Sequence, residues 1–248
     1  GSYVVGWGTQ FLDYDHDTVM DLFMVNTLGP NRMYRSGGTF PCVDMAPTLG
    51  VADDANQHSY VFAMGDVDLD GDLDLVTSPT GQNLRLYINN ASNGNWAKFR
   101  VVGQGANGFG VGTVIDVHAA GVWQCRELQM GNNFKAQNDH LQHFGLAAAT
   151  HMDEIVVAWP GGDTRTLTGY AANETWTLYP PERMGDVNND GRIDAYDITR
   201  ALDAMRSPFK PGEEIFDMDG DGHLTTADIS LMGLDVSDRF QRGLRAGP

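Results

Sequence analysis

Oxygen-bearing side chains recur at every second residue in four places. The first two runs read Asp13-Tyr-Asp15-His-Asp17-Thr18-Val19-Met-Asp21 and Asp66-Val-Asp68-Leu-Asp70-Gly-Asp72-Leu-Asp74. The other two read Asp186-Val-Asn188-Asn-Asp190-Gly-Arg192-Ile-Asp194-Ala-Tyr-Asp197 and Asp217-Met-Asp219-Gly-Asp221-Gly-His223-Leu-Thr225-Thr-Ala-Asp228. Alternating ligands, a sharp turn and a closing carboxylate wrap a backbone around a hard cation. Calcium takes about six to eight oxygens at flexible geometry, and such a loop can supply most of them. The candidate ligands are therefore Asp13, Asp15, Asp17, Val19 and Asp21; Asp66, Asp68, Asp70, Asp72 and Asp74; Asp186, Asn188, Asp190, Arg192, Asp194 and Asp197; and Asp217, Asp219, Asp221, His223, Thr225 and Asp228. Arg192 and His223 stand at the seventh place, where a backbone carbonyl binds. Three to four Ca²⁺ ions are expected. Two belong to the last pair of loops and one to Asp66–Asp74. The first loop is expected to be weaker or distorted, because Thr18 stands where a glycine would adopt positive φ without penalty.

The chain has 248 residues and a net charge of −17, and these four loops hold 17 of its 33 acidic side chains. Four divalent ions would bring that charge to −9, so the acidity is largely site chemistry. Nucleic acid is excluded as a partner, since counterion release needs a basic face. The only basic cluster is the short tail of Arg239, Arg242 and Arg245. No apolar run approaches the length of a membrane span. Cys42 and Cys125 lie far apart, so a disulfide is open but unforced. Loops of this kind in extracellular modules are filled by millimolar calcium, which favours a secreted or surface location.

The elements that must position the loops show a repeat. A shift of 53 residues lays Asp13, Asp15, Asp17 and Asp21 on Asp66, Asp68, Asp70 and Asp74 without a gap. It also lays Leu22 on Leu75, Arg32 on Arg85 and Tyr34 on Tyr87. Each loop feeds a short apolar strand, then a Gly/Pro/Asn turn and a second strand. These residues resemble FG-GAP/VCBS repeats, the calcium-loop blades of integrin-α-like propellers, over about residues 5–90 of a segment taken as 1–95. Propellers need at least about four blades, and two are seen. The resulting apolar edge within residues 1–60 is expected to be covered by a partner, a second copy or upstream residues.

Residues 96–180 lack acidic loops and alternate as strands, notably Trp96–Val102, Gly112–His118 and Ile155–Trp159, separated by glycine-rich turns. This predicts a small antiparallel β domain. Asn107-Gly-Phe-Gly-Val-Gly112, His143-Phe-Gly-Leu146, Trp159-Pro-Gly-Gly162 and Ala172-Asn-Glu-Thr-Trp176 resemble the ASPIC/UnbV domain of the cartilage-acidic-protein family. Asp139-His140-Leu-Gln-His143 could ligate a transition metal, but His143 reads better as a turn or core residue bonded to backbone. No nucleophile elbow or phosphate-cradling loop is present, and the carboxylates are committed to loops, so no enzyme activity is expected. Cys125, in a strand-like run, reads as a small buried apolar residue rather than a catalytic thiol. The five Trp and eight Tyr could stack on sugars, but read first as packing residues.

Pro180-Pro181 predicts a linker. The last two loops, 31 residues apart, follow the EF-hand order of ligands, with Gly at place 6 and an acidic residue at place 12. Each opens a helix, Ala195 to about Met205 and Thr226 to about Leu234, with Ile198 and Leu202, and Ile229 and Met232, at helical spacing. Two loop–helix units without entering helices resemble a type I dockerin, over 182–235, with a tail at 236–248. The resemblance implies a cohesin-like protein partner in an assembly. This module has a small core and is expected to melt first when calcium is removed. The fold class expected is mainly β, with partial propeller-like blades and a small antiparallel domain, followed by a small α-helical module. The function expected is calcium-dependent extracellular adhesion or assembly. The alternatives are a non-catalytic part of a polysaccharide-acting enzyme, with a carbohydrate ligand, or a structural subunit of a larger complex.

Overall fold

The 53-residue period read from the acidic runs governs the strands as well. Strands β1 (Gly6–Leu12), β2 (Asp21–Asn26) and β3 (Arg32–Arg35) form an antiparallel sheet edged by β4 (Val43–Asp44). After a short helix, α1 (Ala46–Leu49), the first three strands recur as β5 (Ser59–Gly65), β6 (Asp74–Pro79) and β7 (Arg85–Tyr87). Register repeats too: Leu12 pairs with Asp21 as Gly65 pairs with Asp74, and Leu22 with Tyr34 as Leu75 with Tyr87. The acidic loops are thus the tight connections between the first and second strand of each sheet. The computed structural model describes residues 5–37, 41–53, 58–91 and 94–234. The arginine tail and part of the expected 1–60 edge lie outside them.

The repeat ends at its fourth strand. β8 (Asn95–Val101) stands 53 residues after β4, yet it lies beside β11 (Gln142–Ala147) and β14 (Glu174–Leu178). The chain divides within β8. One unit holds the described residues up to Lys98 with Leu128–Thr150; the other holds Phe99–Glu127 with those from His151 onward.

In the first unit, alternate residues of the two sheets meet in one core. Phe23 and Phe62 pack edge to face with ring centres 4.8 Å apart, among Leu12, Val25, Met33 and Leu75. Residues 138–147 belong to this unit and lie along its acidic loops. Asp139 N donates to Met64 O at 3.0 Å, and Ala147 N to His16 O at 2.9 Å.

In the second unit, β9 (Val114–Ala119), β10 (Val122–Glu127), β12 (Glu154–Ala158) and β13 (Thr164–Leu167) form a sheet ordered β10-β9-β12-β13. Period-two alternation buries Ile155, Val157 and Trp159 on one face, as their spacing predicts, and their cross-strand partners Ile115 and Val117 are buried with them. Pro180-Pro181 does not free the chain. It enters a 3₁₀ turn (Pro181–Arg183), and the C-terminal module follows directly. That module holds helix α2 (Ala195–Ala204) and a second helix at 226–234, over a small core of Ile193, Ala201, Ile215, Phe216 and Met232. Leu202 does not join this core and is 48% exposed; Ala201, one place earlier, faces inward instead. The protein is mainly β with a small helical module at its C-terminal side.

Candidate metal centres

All four acidic loops adopt one backbone conformation, although two sit between strands and two precede helices. The fourth place is left-handed in each: His16 (φ 58°), Leu69 (66°), Asn189 (57°) and Gly220 (77°). So is the sixth: Thr18 (76°), Gly71 (101°), Gly191 (83°) and Gly222 (75°). In each loop the sixth N–H donates to Oδ2 of the first aspartate. The distances are 2.9 Å to Asp13, 3.0 Å to Asp66, 2.8 Å to Asp186 and 3.2 Å to Asp217. Loop 1 is therefore not distorted; Thr18 takes the glycine conformation and bears its strain.

The closing carboxylates are fixed just as regularly. Asp21 Oδ1 accepts Ser36 N at 2.7 Å, and Asp74 Oδ1 accepts the equivalent Asn89 N at 2.8 Å. In the C-terminal loops the twelfth residue closes onto the second: Asp197 Oδ1 accepts Val187 N at 2.9 Å and Asp228 Oδ1 accepts Met218 N at 2.8 Å. Asp194 and Thr225, at the ninth place, cap the helices, accepting from Tyr196 N at 2.8 Å and Ala227 N at 3.1 Å.

Three of the four donor sets, those of loops 1, 2 and 4, fit a hard cation. Ligand atoms of Asp13, Asp15 and Asp17 gather within 4.8 Å of one another, as do those of Asp66, Asp68 and Asp70, and those of Asp217, Asp219 and Asp228. Among the described loop carboxylates four oxygens are buried without a hydrogen-bond partner: Asp15 Oδ1, Asp21 Oδ2, Asp66 Oδ1 and Asp72 Oδ2. A buried anionic oxygen with no donor is costly, and a cation would satisfy it. Burial, with neighbouring carboxylates adding to it, pushes Asp13 up to about 6. Burial likewise pushes Asp21 up to about 7. In loop 3 the amide of Asn188 donates to Asp190 Oδ2 at 3.1 Å, and no comparable carboxylate group forms there among the described residues. Calcium bound in loops 1, 2 and 4 would be held by Asp13, Asp15, Asp17 and Asp21, by Asp66, Asp68, Asp70 and Asp74, and by Asp217, Asp219 and Asp228. It would neutralise carboxylates that otherwise repel one another.

Basic groups that the sequence reading missed flank the first two loops. Arg35 lies 2.8 Å from Asp15 Oδ2 and 3.4 Å from Asp17 Oδ2. Lys98, 4% exposed, sets its ammonium on Asp66 Oδ2 and lies over the Trp96 ring. Asp72 Oδ1 lies 3.5 Å from His16 Nε2 of loop 1. His143 is buried, with Nε2 3.0 Å from Gly71 O, as the turn-or-core reading expects. No single sequence motif marks these pairs, because each joins residues far apart in the chain. The aromatics divide: Trp159 and Trp176 are buried, whereas Trp7, Tyr60 and Phe134 are exposed together, with ring centres 5.7 Å (Trp7–Tyr60) and 4.8 Å (Trp7–Phe134) apart. Cys42 and Cys125 are both free thiols, and Cys125 is exposed rather than buried as its sequence setting suggested; a hydrogen bond with Asp116, followed by partial desolvation, pushes its thiol up to about 11 and leaves it a poor nucleophile.

With this geometry in view, the relatives are informative. Residues 103–184 match the family described as ASPIC and UnbV, and residues 184–233 match the Dockerin type I domain. Over 98 residues the chain is 32% identical to cartilage acidic protein 1 of Mus musculus and of Homo sapiens. That stretch is 40% of this chain and covers only 15% and 14% of the two relatives. Among the described residues no helix is long and apolar enough to cross a membrane.

Proposed function

We propose that this chain is a calcium-structured, non-catalytic assembly protein that docks through its C-terminal module onto a cohesin-like protein partner outside the cell. The observation that carries this reading is the shared loop conformation, with left-handed fourth and sixth places and a first carboxylate bound to the sixth N–H in all four loops. The dockerin match over 184–233 supports calcium binding and a protein partner. The ASPIC/UnbV match and the likeness to cartilage acidic protein 1 support a modular setting in which the acidic repeats act as FG-GAP-type blades. The test is titration calorimetry of the chain against a panel of type I cohesin domains, in calcium and in chelator. Binding in calcium alone is the expected result. A panel that stays silent in calcium would overturn the docking assignment.

A second reading, carbohydrate recognition, is favoured by the exposed Trp7, Tyr60 and Phe134 cluster. Loss of glycan-array signal on Trp7→Ala is its check; an array with no signal for the unsubstituted chain removes it.

A further inference from the structure

The two C-terminal loops share a sequence pattern, but their surroundings differ. Asp186, first residue of loop 3, is bonded by its own loop: Asp190 N to Oδ1 at 3.1 Å and Gly191 N to Oδ2 at 2.8 Å. A side chain at Gly191 would meet nothing within 4 Å. Asp217, first residue of loop 4, also has loop donors: Gly220 N and Asp221 N on Oδ1, and Gly222 N on Oδ2. It then gains a donor from the β domain. The Tyr170 hydroxyl donates to Asp217 Oδ2 at 2.7 Å.

Two further bonds tie loop 4 to the segment after β12. The Arg165 guanidinium donates to Asp217 O at 2.8 Å, and Thr168 N donates to Gly220 O at 2.8 Å. The contact is close enough to dictate sequence. A Cβ at Gly220 would stand 2.6 Å from Thr166 O, and one at Gly222 would stand 2.5 Å from Thr168 O. This accounts for glycine at place 4 of this loop alone, where the others carry His16, Leu69 and Asn189.

Tyr170 is itself held firmly. It is 1% exposed, and its ring packs edge to face on Trp176 at 4.7 Å and on Phe209 at 5.5 Å. A hydroxyl so fixed is a rigid external donor to the first ligand of loop 4.

We infer that Tyr170 is a positioning residue for cation binding at loop 4: its hydroxyl holds the Asp217 carboxylate in one rotamer, so that loop 4 is preorganised by the β domain while loop 3 is not. The inference rests on the calcium reading above. Loss of a partner that orients a ligating carboxylate typically weakens metal affinity about tenfold or more. Binding at loop 4 and order in the β domain are then linked, each favouring the other.

The test is a calcium titration of the full chain followed by the amide resonances of Gly191 and Gly222, whose N–H groups report loops 3 and 4 separately. Tyr170→Phe keeps the ring and its packing and removes only the hydroxyl. The expected result is an affinity about tenfold lower at Gly222, with the Gly191 curve unchanged. Unchanged or equally weakened curves at both glycines would overturn the inference. Tyr170→Leu controls for packing: weakening at Gly222 in the Leu variant alone would assign the effect to the ring and overturn the role of the hydroxyl. If neither glycine responds to calcium in the unsubstituted chain, the calcium reading fails first, and this outcome is distinct from a calcium-binding loop 4 indifferent to Tyr170→Phe.

Discussion

Thr18 and Gly71 occupy the same place in loops 53 residues apart, both left-handed and both donating to the first aspartate of their loop. The threonine bears a strain that glycine avoids, since a β-branched residue at positive φ is disfavoured. Thr18→Gly is expected to raise calcium affinity at loop 1 and to stabilise the first unit by about 1 kcal/mol, partly offset by glycine's unfolded-state entropy. The reverse change is not symmetrical. A Cβ at Gly71 would collide with the Trp96 indole, so Gly71→Ala should cost about 2 kcal/mol or more. Paired denaturant melts in calcium check both; a destabilising Thr18→Gly would show that the loop is not strained there.

The buried carboxyls give the calcium-free protein a defined pH response. Asp13 is held at about 6 and Asp21 at about 7, against an ordinary 3.8, with burial the leading cause. The folded state therefore holds these protons more tightly than the unfolded chain. The associated stability is fully present below about pH 4 and is lost as pH rises to about 7. Calcium must displace the same protons, so its affinity at loop 1 should climb across that window. Urea melts at pH 5 and pH 7.5 in chelator should show the higher-pH sample weaker. With saturating calcium that order should vanish or reverse, and melts that ignore pH in chelator would refute the assignment.

Much of this was legible in the chain. Ligand spacing located the turns of all four loops, because the pattern sets where the backbone must reverse. The 53-residue shift located β2, β3, β6 and β7, whereas β1 and β5, which lead into the loops, were not read from it. What could not be read was long-range. Nothing near Asp66 announces Lys98, and nothing near Asp217 announces Tyr170, since their contacts depend on how strands distant in sequence come together. Pro180-Pro181 suggested a linker because proline breaks regular structure, but a break in hydrogen bonding is not a break in packing. Helix burial failed at Leu202 because its i, i+4 spacing from Ile198 could not tell which of Ala201 and Leu202 meets the core.

Lys98 is a built-in competitor for the second loop. Its buried ammonium pairs with Asp66, the proposed first-place ligand of that loop. Lys98→Met removes this charge and keeps most of the stem. In chelator the variant should lose about 3 kcal/mol, as breaking a buried pair leaves a carboxylate uncompensated. In calcium the loss should shrink, and loop 2 should bind the ion more tightly, because the cation no longer meets a fixed positive charge. Equal destabilisation with and without calcium would mean that Lys98 serves packing alone.

The anchoring of loop 4 also changes what chelation should do. A small module behind a linker would melt first and by itself, but here the module shares a unit with the β domain. Asp186→Ala and Asp217→Ala each delete the proposed first ligand of a C-terminal loop. Only the second strips the acceptor from the Tyr170 hydroxyl, which lies buried against Trp176. Leaving that hydroxyl unpaired costs about 1–3 kcal/mol beyond the lost ligand. Asp217→Ala should therefore lower the thermal transition seen by near-ultraviolet dichroism of the buried Trp159 and Trp176. Asp186→Ala should mainly reduce the helical signal of the C-terminal module. For the same reason, chelator should move the tryptophan transition of the unsubstituted chain to lower temperature. If Asp186→Ala and Asp217→Ala shift that transition equally, loop 4 and the β domain are not coupled through Tyr170.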